Sequence, residues 1–118
     1  MNDLPILDPH PLQDLLDIGA GKDVVRDLVE ILRQDAPTRL ALLRSALAAG
    51  DAPQVLMEAH QLKGSLGSLG LLRFAELARL IEGQAREGQL EGVSAWLAAL
   101  PGALEEGLRA LEQAFPAD

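Results

Sequence analysis

Apolar residues recur at helical spacing along most of this chain. From Lys22 to Ala49 they recur every three or four positions, the spacing that places side chains on one side of an α-helix. Similar patterns run from position 51 to Gly70, from Leu71 to Arg86 and from Leu90 to Phe115. The hydrophobic pattern therefore predicts four long amphipathic helices.

Prolines and glycines indicate where the helices begin, end or bend. Residues 1–11 hold three prolines and are expected to be an irregular lead-in, followed by a short helix from Leu12 to Ile18 and a glycine break at 19–21. The apolar pattern keeps its phase across Pro37, so a kink is expected there, and Pro101 is expected to bend the last helix. Residues 116–118 should fray.

The composition favours helices packed on helices. Apolar residues make up 48% of the chain and aromatic residues only 3%, so the core must consist of Leu, Ala and Val. A chain of 118 residues suits one domain with a single core. We therefore expect residues 1–118 to form one all-α domain, an up-down-up-down four-helix bundle with an extra short N-terminal helix.

Charge and residue usage exclude several classes of function. The formal charge is −8 with no basic stripe, which argues against binding to nucleic acid or to anionic lipid. The chain has no cysteine and no apolar run of the roughly 18 residues that a membrane span needs, and its first five residues lack the basic segment and apolar run typical of a secretory signal. We expect a cytoplasmic protein whose partner is another protein.

One stretch of the third predicted helix carries candidate chemistry. Its apolar side chains fall on one side of a helical wheel, and the opposite side carries His60, Lys63, Gly64 and Gly67. A glycine inside a helix costs roughly 0.5–1 kcal/mol relative to alanine, so two of them beside a histidine need a reason. They leave a surface that another molecule can approach closely. We interpret His60 as a histidine that accepts and gives up a phosphoryl group, with Lys63 as an adjacent cation.

These residues also resemble a known signature. The run His60-Gln61-Leu62-Lys63-Gly64-Ser65, followed by Leu69-Gly70 and by Leu80-Ile81-Glu82, is similar to the pattern of histidine-containing phosphotransfer (HPt) domains. The specific identities span only about 30 residues, from Met57 to Arg86, although the helical outline extends over roughly residues 20–115. The resemblance implies the same helical bundle.

The resemblance also implies a function. His60 would accept a phosphoryl group from an aspartyl phosphate in the receiver domain of a hybrid sensor histidine kinase, and would pass it to the receiver domain of a response regulator. The sequence holds no glycine-rich phosphate loop and no paired carboxylates placed for Mg²⁺, so we expect no ATP site. The protein would be a relay intermediate rather than an enzyme, monomeric and without its own cofactor. Mg²⁺ would come from the receiver.

Several neighbours of His60 are candidates for partner docking. Leu56 and Met57 would offer an apolar rim. Alternatives stay open for some of the others. The glycines would also suit close packing of a helix, and Gln61 would also suit a plain surface position or a hydrogen bond to the imidazole or the phosphoryl group. Glu82 matches the signature and its role is left open. The docking candidates are Leu56, Met57, Gln61, Gly64, Gly67, Ser68 and Arg86.

Two rival functions compete with the relay hypothesis. The dimerisation domain of a sensor kinase also presents a helical histidine, but there an acidic residue follows the histidine directly, whereas Gln61 follows here. A structural adaptor bundle without phosphate chemistry is the other alternative. It predicts that replacing His60 with glutamine changes neither binding nor signalling.

Overall fold

The computed structural model of the protein describes residues 4–17 and 22–116. Helices α2 to α5 form a ring in which each helix packs against the next and α5 closes against α2. This arrangement confirms the predicted all-α four-helix bundle with a short additional N-terminal helix. Within the described ranges the helices are α1 His10–Asp17, α2 Lys22–Ala48, α3 Ala52–Gly67, α4 Leu72–Arg86 and α5 Val93–Ala114.

The core of the bundle is aliphatic, as the composition predicted. Leu43, Val55 and Ile81 are fully buried, and Phe74 is the one fully buried aromatic side chain in the described part of the chain. Burying a Leu, Ile or Val side chain contributes about 1.5–3 kcal/mol, so leucine-rich stripes supply most of the stability. Of the five helices in the described ranges, none is both long and apolar enough to cross a membrane.

The observed helix ends differ from the predicted ones by a few residues. α1 begins at His10, inside the expected lead-in, where the Asp8 carboxylate accepts a hydrogen bond from the His10 N–H at 3.0 Å. α3 ends at Gly67 rather than Gly70, and α5 begins at Val93 because Gly92 has a left-handed φ of 83°. The predicted end of α1 at Ile18, the glycine break at 19–21 and the tail residues 117–118 lie outside the described residues.

The start of α3 is capped by Asp51, but no capping box forms. The Asp51 carboxylate accepts a hydrogen bond from the backbone N–H of Gln54 at 3.2 Å, and Pro53 lies in the first turn. The Gln54 side chain, however, donates to Glu58 at 2.8 Å. It does not reach back to Asp51, whose N–H is already taken by the Ala46 carbonyl at 3.0 Å.

Neither internal proline breaks its helix. Pro37 lies inside α2 and Pro101 inside α5, and both helices continue without interruption. Both prolines are exposed. The carbonyls left without a helical donor are those of Arg33, which is exposed, and Leu97, which is buried.

The N-terminal segment, residues 4–8, crosses the corner between α3 and α4. The Asp8 N–H donates to the Gly70 carbonyl at 2.7 Å, and the Leu72 N–H donates to the Ile6 carbonyl at 3.2 Å. Gly70 has a φ of 93°, and a Cβ on it would lie 2.0 Å from the Asp8 carbonyl oxygen. Only glycine fits at this crossing, which fixes the end of the helix that carries His60.

Candidate functional site

His60 lies on the outer side of α3. Its side chain is 65% exposed, whereas Val55, Ala59 and Leu62 of the same helix are buried in the core. The helical wheel predicted this orientation, because it depends only on the 3.6-residue period of α3. The histidine is therefore accessible to another molecule.

Glu82 of α4 is the residue on which the site is built. Its side chain is only 3% exposed, and Oε1 lies 3.0 Å from Nδ1 of His60. The same oxygen accepts from Nη2 of Arg86 at 2.8 Å, and Oε2 lies 2.7 Å from Nζ of Lys63. One buried carboxylate thus holds three side chains from two helices. We call Glu82, His60, Lys63 and Arg86 the Glu82 cluster.

The Glu82 cluster keeps the carboxylate ionised. Burial raises the pKa of Glu82, but hydrogen bonds from Lys63, His60 and Arg86, together with the positive charge of Lys63, outweigh burial and lower the pKa to about 2. A buried carboxylate without such partners would be strongly destabilising. At neutral pH Glu82 therefore acts as a fixed negative charge behind the histidine.

The hydrogen bond to Glu82 assigns the tautomer of the neutral His60 ring. An ionised carboxylate can only accept hydrogen bonds, so Nδ1 must carry the hydrogen. The lone pair then resides on the other ring nitrogen, Nε2, which has no hydrogen-bond partner within residues 4–17 and 22–116. The arrangement leaves Nε2 as a nucleophile on the exposed side of α3.

The structure adds a partner to Lys63. The sequence suggested a cation adjacent to the histidine, and the structure pairs Lys63 with Glu82 and leaves its side chain about one third exposed. Arg86, a docking candidate from the sequence, is exposed and is paired with the same carboxylate. Two cations against one carboxylate leave a formal excess of one positive charge beside His60. The Leu80-Ile81-Glu82 motif was the signal for this cluster, but it did not give its geometry.

The two glycines of the site have different surroundings. A Cβ on Gly64 would meet no atom within 4 Å, so Gly64 leaves the surface beside His60 open. A Cβ on Gly67 would lie 3.3 Å from Cβ of Ala75 in α4. Gly67 therefore serves close packing of α3 against α4, which was the alternative left open for both glycines.

The remaining docking candidates fall in three environments. Met57 is 50% exposed, whereas Leu56 is half-buried and packs against the core. Ser68 is exposed and its hydroxyl donates to the Ser65 carbonyl at 2.9 Å. Gln61 turns towards α2, where its Oε1 accepts from Arg39 at 3.4 Å, and does not contact the imidazole.

Sequence reasoning missed the contribution of α2 to this surface. A groove of about 370 Å³ runs between α2 and α3, with Asp35, Arg39, Gln61 and Ser65 among its lining residues. Gln61, which follows His60 in the chain, is one of its lining residues. Arg39 gave no signal in the sequence, because its position depends on how α2 packs against α3.

Comparison with known proteins identifies the family. A family model described as "Hpt domain" matches residues 27–114. The chain belongs to the Hpt domain family. This Hpt domain is also similar to the crystal structure of histidine-containing phosphotransfer protein B (HptB) from Pseudomonas aeruginosa PAO1. The TM-score is 0.81 at 27% sequence identity, over 95% of this chain and 96% of that chain.

Two curated relatives extend the comparison. The Hpt domain is 26% identical over 92 residues to the aerobic respiration control sensor protein ArcB of Escherichia coli K12, and it matches ArcB of Shigella flexneri to the same extent. The match covers 78% of this chain but only 12% of either ArcB. The chain thus spans about an eighth of the length of these relatives.

Proposed function

We propose that this Hpt domain is an intermediate of a multistep phosphorelay in which Nε2 of His60 carries the phosphoryl group. The observation that supports this most strongly is the pairing of Nδ1 with the buried carboxylate of Glu82. That pairing leaves the Nε2 lone pair on an exposed helix face, beside the side-chain-free surface at Gly64. Family membership and the likeness to a named phosphotransfer protein support the same function.

The charge of the site suits the reaction. Phosphoryl transfer passes through a loose transition state, so a protein accelerates it mainly by positioning the groups and neutralising charge. A bound phosphoryl group carries nearly two negative charges. The excess positive charge of the Glu82 cluster attracts that group, and Lys63 and Arg86 are the cations within the cluster that can turn towards it.

The proposed donor is the aspartyl phosphate of a receiver domain in a hybrid sensor kinase, and the proposed acceptor is the receiver domain of a response regulator. The similarity to ArcB, a sensor protein, supports a sensor as the donor. We propose that the receiver brings the Mg²⁺, that this chain is a cytoplasmic monomer, and that it takes no phosphate from ATP directly. Analytical ultracentrifugation tests whether the chain is a monomer, and a stable dimer would contradict that part of the proposal.

The proposed docking surface surrounds His60 on the exposed side of α3. It comprises Met57, Gly64 and Ser68 on the outer face, and Gln61 beside the groove between α2 and α3. An exposed methionine beside polar groups suits a transient interface, since such interfaces combine an apolar centre with a polar rim.

Transfer of radioactive phosphate tests the proposal. The wild-type chain is incubated with ³²P-labelled receiver domains from the same organism, and the label should appear as an acid-labile, base-stable phosphate. His60→Gln should abolish labelling. The chain has only one other histidine, His10, which is 83% exposed, so His10→Gln is a matched control that should be labelled like the wild type. Equal labelling of His60→Gln, or no labelling of the wild type by any receiver, would refute the function.

A further inference from the structure

Two arginines of α2 differ from the other arginines of the chain. Within residues 4–17 and 22–116, six of the eight arginines form ion pairs with Asp or Glu side chains. Arg39 and Arg44 form none, although the chain carries 18 acidic residues against 10 basic ones. An unpaired arginine in so acidic a protein has its positive charge available to a partner.

Arg39 also turns away from a carboxylate on its own helix. Asp35 lies four positions earlier, the spacing and order at which an acid and a base usually pair along a helix. The Arg39 guanidinium instead reaches to α3, where it donates to the neutral amide of Gln61 at 3.4 Å. Asp35 likewise has no ion pair in the described part of the chain. Both charged side chains are exposed and line the groove between α2 and α3.

Exposed apolar side chains border the same groove. Ile31 and Leu42 lie about one helical turn beyond the two charged residues, one at each end, and each is 51% exposed. Met57 of α3 is 50% exposed and lies one turn before Gln61, which lines the groove. Grouped apolar side chains on a surface indicate a contact with another molecule. Apolar groups around a few charges are the composition of a protein interface.

We propose that Asp35 and Arg39 are specificity-determining residues for the receiver domain that docks at His60. The receiver presents a carboxylate to Arg39 and, roughly 6 Å away, an ammonium or guanidinium to Asp35, because side chains four apart on a helix have that spacing. This inference rests on the proposed phosphorelay function. It identifies a surface on α2 by which the chain distinguishes one receiver from another.

The size of a protein interface brings α2 within reach of a receiver at His60. A specific interface covers about 800 Å² on each partner, which is a patch of about 16 Å in radius. Neighbouring helices lie only about 8–10 Å apart. Gln61 follows His60 in the chain and lines the groove, so it joins the two surfaces. A receiver centred on His60 therefore also covers the groove.

Two opposite charges discriminate better than one. A receiver with the matching pair gains at both positions. A receiver with the reverse polarity meets like charges at Asp35 and at Arg39, and like charges across an interface weaken binding and slow association. The groove therefore selects against some receivers as well as for others.

A comparison of the two unpaired arginines tests the inference. Arg39→Glu and Arg44→Glu change the net charge of the same helix equally. Arg44, however, lies about 140° around the helix from Arg39 and does not line the groove. Titration calorimetry measures the affinity of each variant for a receiver that labels the wild-type chain. At low salt, Arg39→Glu should bind at least about tenfold more weakly than Arg44→Glu.

Salt dependence separates a charge contact from a structural defect. The ratio of the two affinities should approach one as the salt concentration rises towards 1 M, where charges are screened within about 3 Å. Equal affinities of the two variants at low salt, or a ratio that does not respond to salt, would overturn the inference.

Exchanging the two charges provides a second test. Asp35→Arg combined with Arg39→Asp keeps the net charge at −8 and reverses the polarity of the groove. Both positions are exposed, so the fold should persist, which thermal unfolding checks. The affinity for the same receiver should fall at least about tenfold at low salt. Retained affinity would overturn the inference.

The outcomes separate this inference from the function on which it rests. If no receiver labels the wild-type chain, the proposed function fails and this inference fails with it. If a receiver labels the wild-type chain but binds Arg39→Glu and Arg44→Glu equally well, only the role assigned to Asp35 and Arg39 fails.

Discussion

Gly107 of α5 lies directly against Leu71, the residue that precedes α4. A Cβ built on Gly107 would stand 2.7 Å from both Cγ and Cδ2 of Leu71, which is itself fully buried. Any larger side chain would push α5 away from the corner between α3 and α4. The contact between these two residues thus sets the distance at which α5 packs against the rest of the bundle.

Gly107→Ala should therefore destabilise the protein. Overpacking should lower the free energy of unfolding by about 1–3 kcal/mol. Replacing a glycine in a helix with alanine usually raises that free energy instead. Gly102→Ala is the matched control on the same helix, because a Cβ there would meet no atom within 4 Å. That variant should gain up to about 1 kcal/mol. Urea denaturation measures both, and equal effects would contradict the packing argument.

Glu82 should make stability depend on pH in the acidic range. Its pKa is about 2 in the folded protein, lowered from the ordinary 4.5, so the stabilising contribution is fully present above pH 4.5 and is lost as the pH falls towards 2. The shift corresponds to about 2–3 kcal/mol once screening of its exposed partners is allowed for. The unfolding free energy of the wild type should therefore fall more steeply than that of Glu82→Gln between pH 4.5 and pH 2. Parallel curves would show that the cluster does not hold the carboxylate ionised.

Lys63→Ala should affect both chemistry and stability. We expect slower phosphoryl transfer or a shorter phosphohistidine lifetime, by about tenfold, because a cation that can neutralise the phosphoryl oxygens is lost. The fold should persist, but the free energy of unfolding should fall by about 1–3 kcal/mol because Oε2 of Glu82 loses its partner Lys63. Arg26→Ala, which breaks exposed ion pairs on α2, is the control and should transfer normally. Unchanged transfer kinetics in Lys63→Ala would remove Lys63 from the mechanism.

A bulky residue at position 64 should block partner docking without harming the fold. A side chain at Gly64 meets open space, so Gly64→Leu should leave thermal stability unchanged or slightly higher. Titration calorimetry should show at least about a tenfold loss of affinity for a receiver domain, which corresponds to roughly 1.4 kcal/mol. Gly102→Leu, on the helix diagonally across the bundle from α3, should bind normally. Retained affinity in Gly64→Leu would place the docking surface elsewhere.

The parts of this protein that the sequence predicted correctly depend on local periodicity. The outward orientation of His60 follows from the apolar stripe of α3 alone, and the four long helices follow from the same rule. The continuation of α2 across Pro37 could likewise be predicted, because the apolar stripe keeps its phase there. Local patterns therefore suffice for the fold and for the position of the histidine.

The parts that the sequence did not give depend on how one helix is placed against another. Glu82 lies 22 positions from His60, and their contact requires a particular register between α3 and α4. The same register places Gly67 against Ala75 and leaves Gly64 facing open space, although both glycines lie on the same side of a helical wheel. The Arg39–Gln61 contact depends in the same way on α2.

The N-terminal segment has a consequence for the motions of the α3–α4 corner. The first amide of a helix normally has no protein partner, yet the Leu72 N–H is bonded to Ile6, and the Asp8 N–H is bonded in the opposite direction to Gly70. Neither bond can open without pulling on the other, so both should break in one event. The amide protons of Leu72 and Asp8 should therefore exchange with deuterated solvent at closely similar protection factors. We expect detachment of the N-terminal segment to be the partial unfolding event of lowest free energy in the bundle.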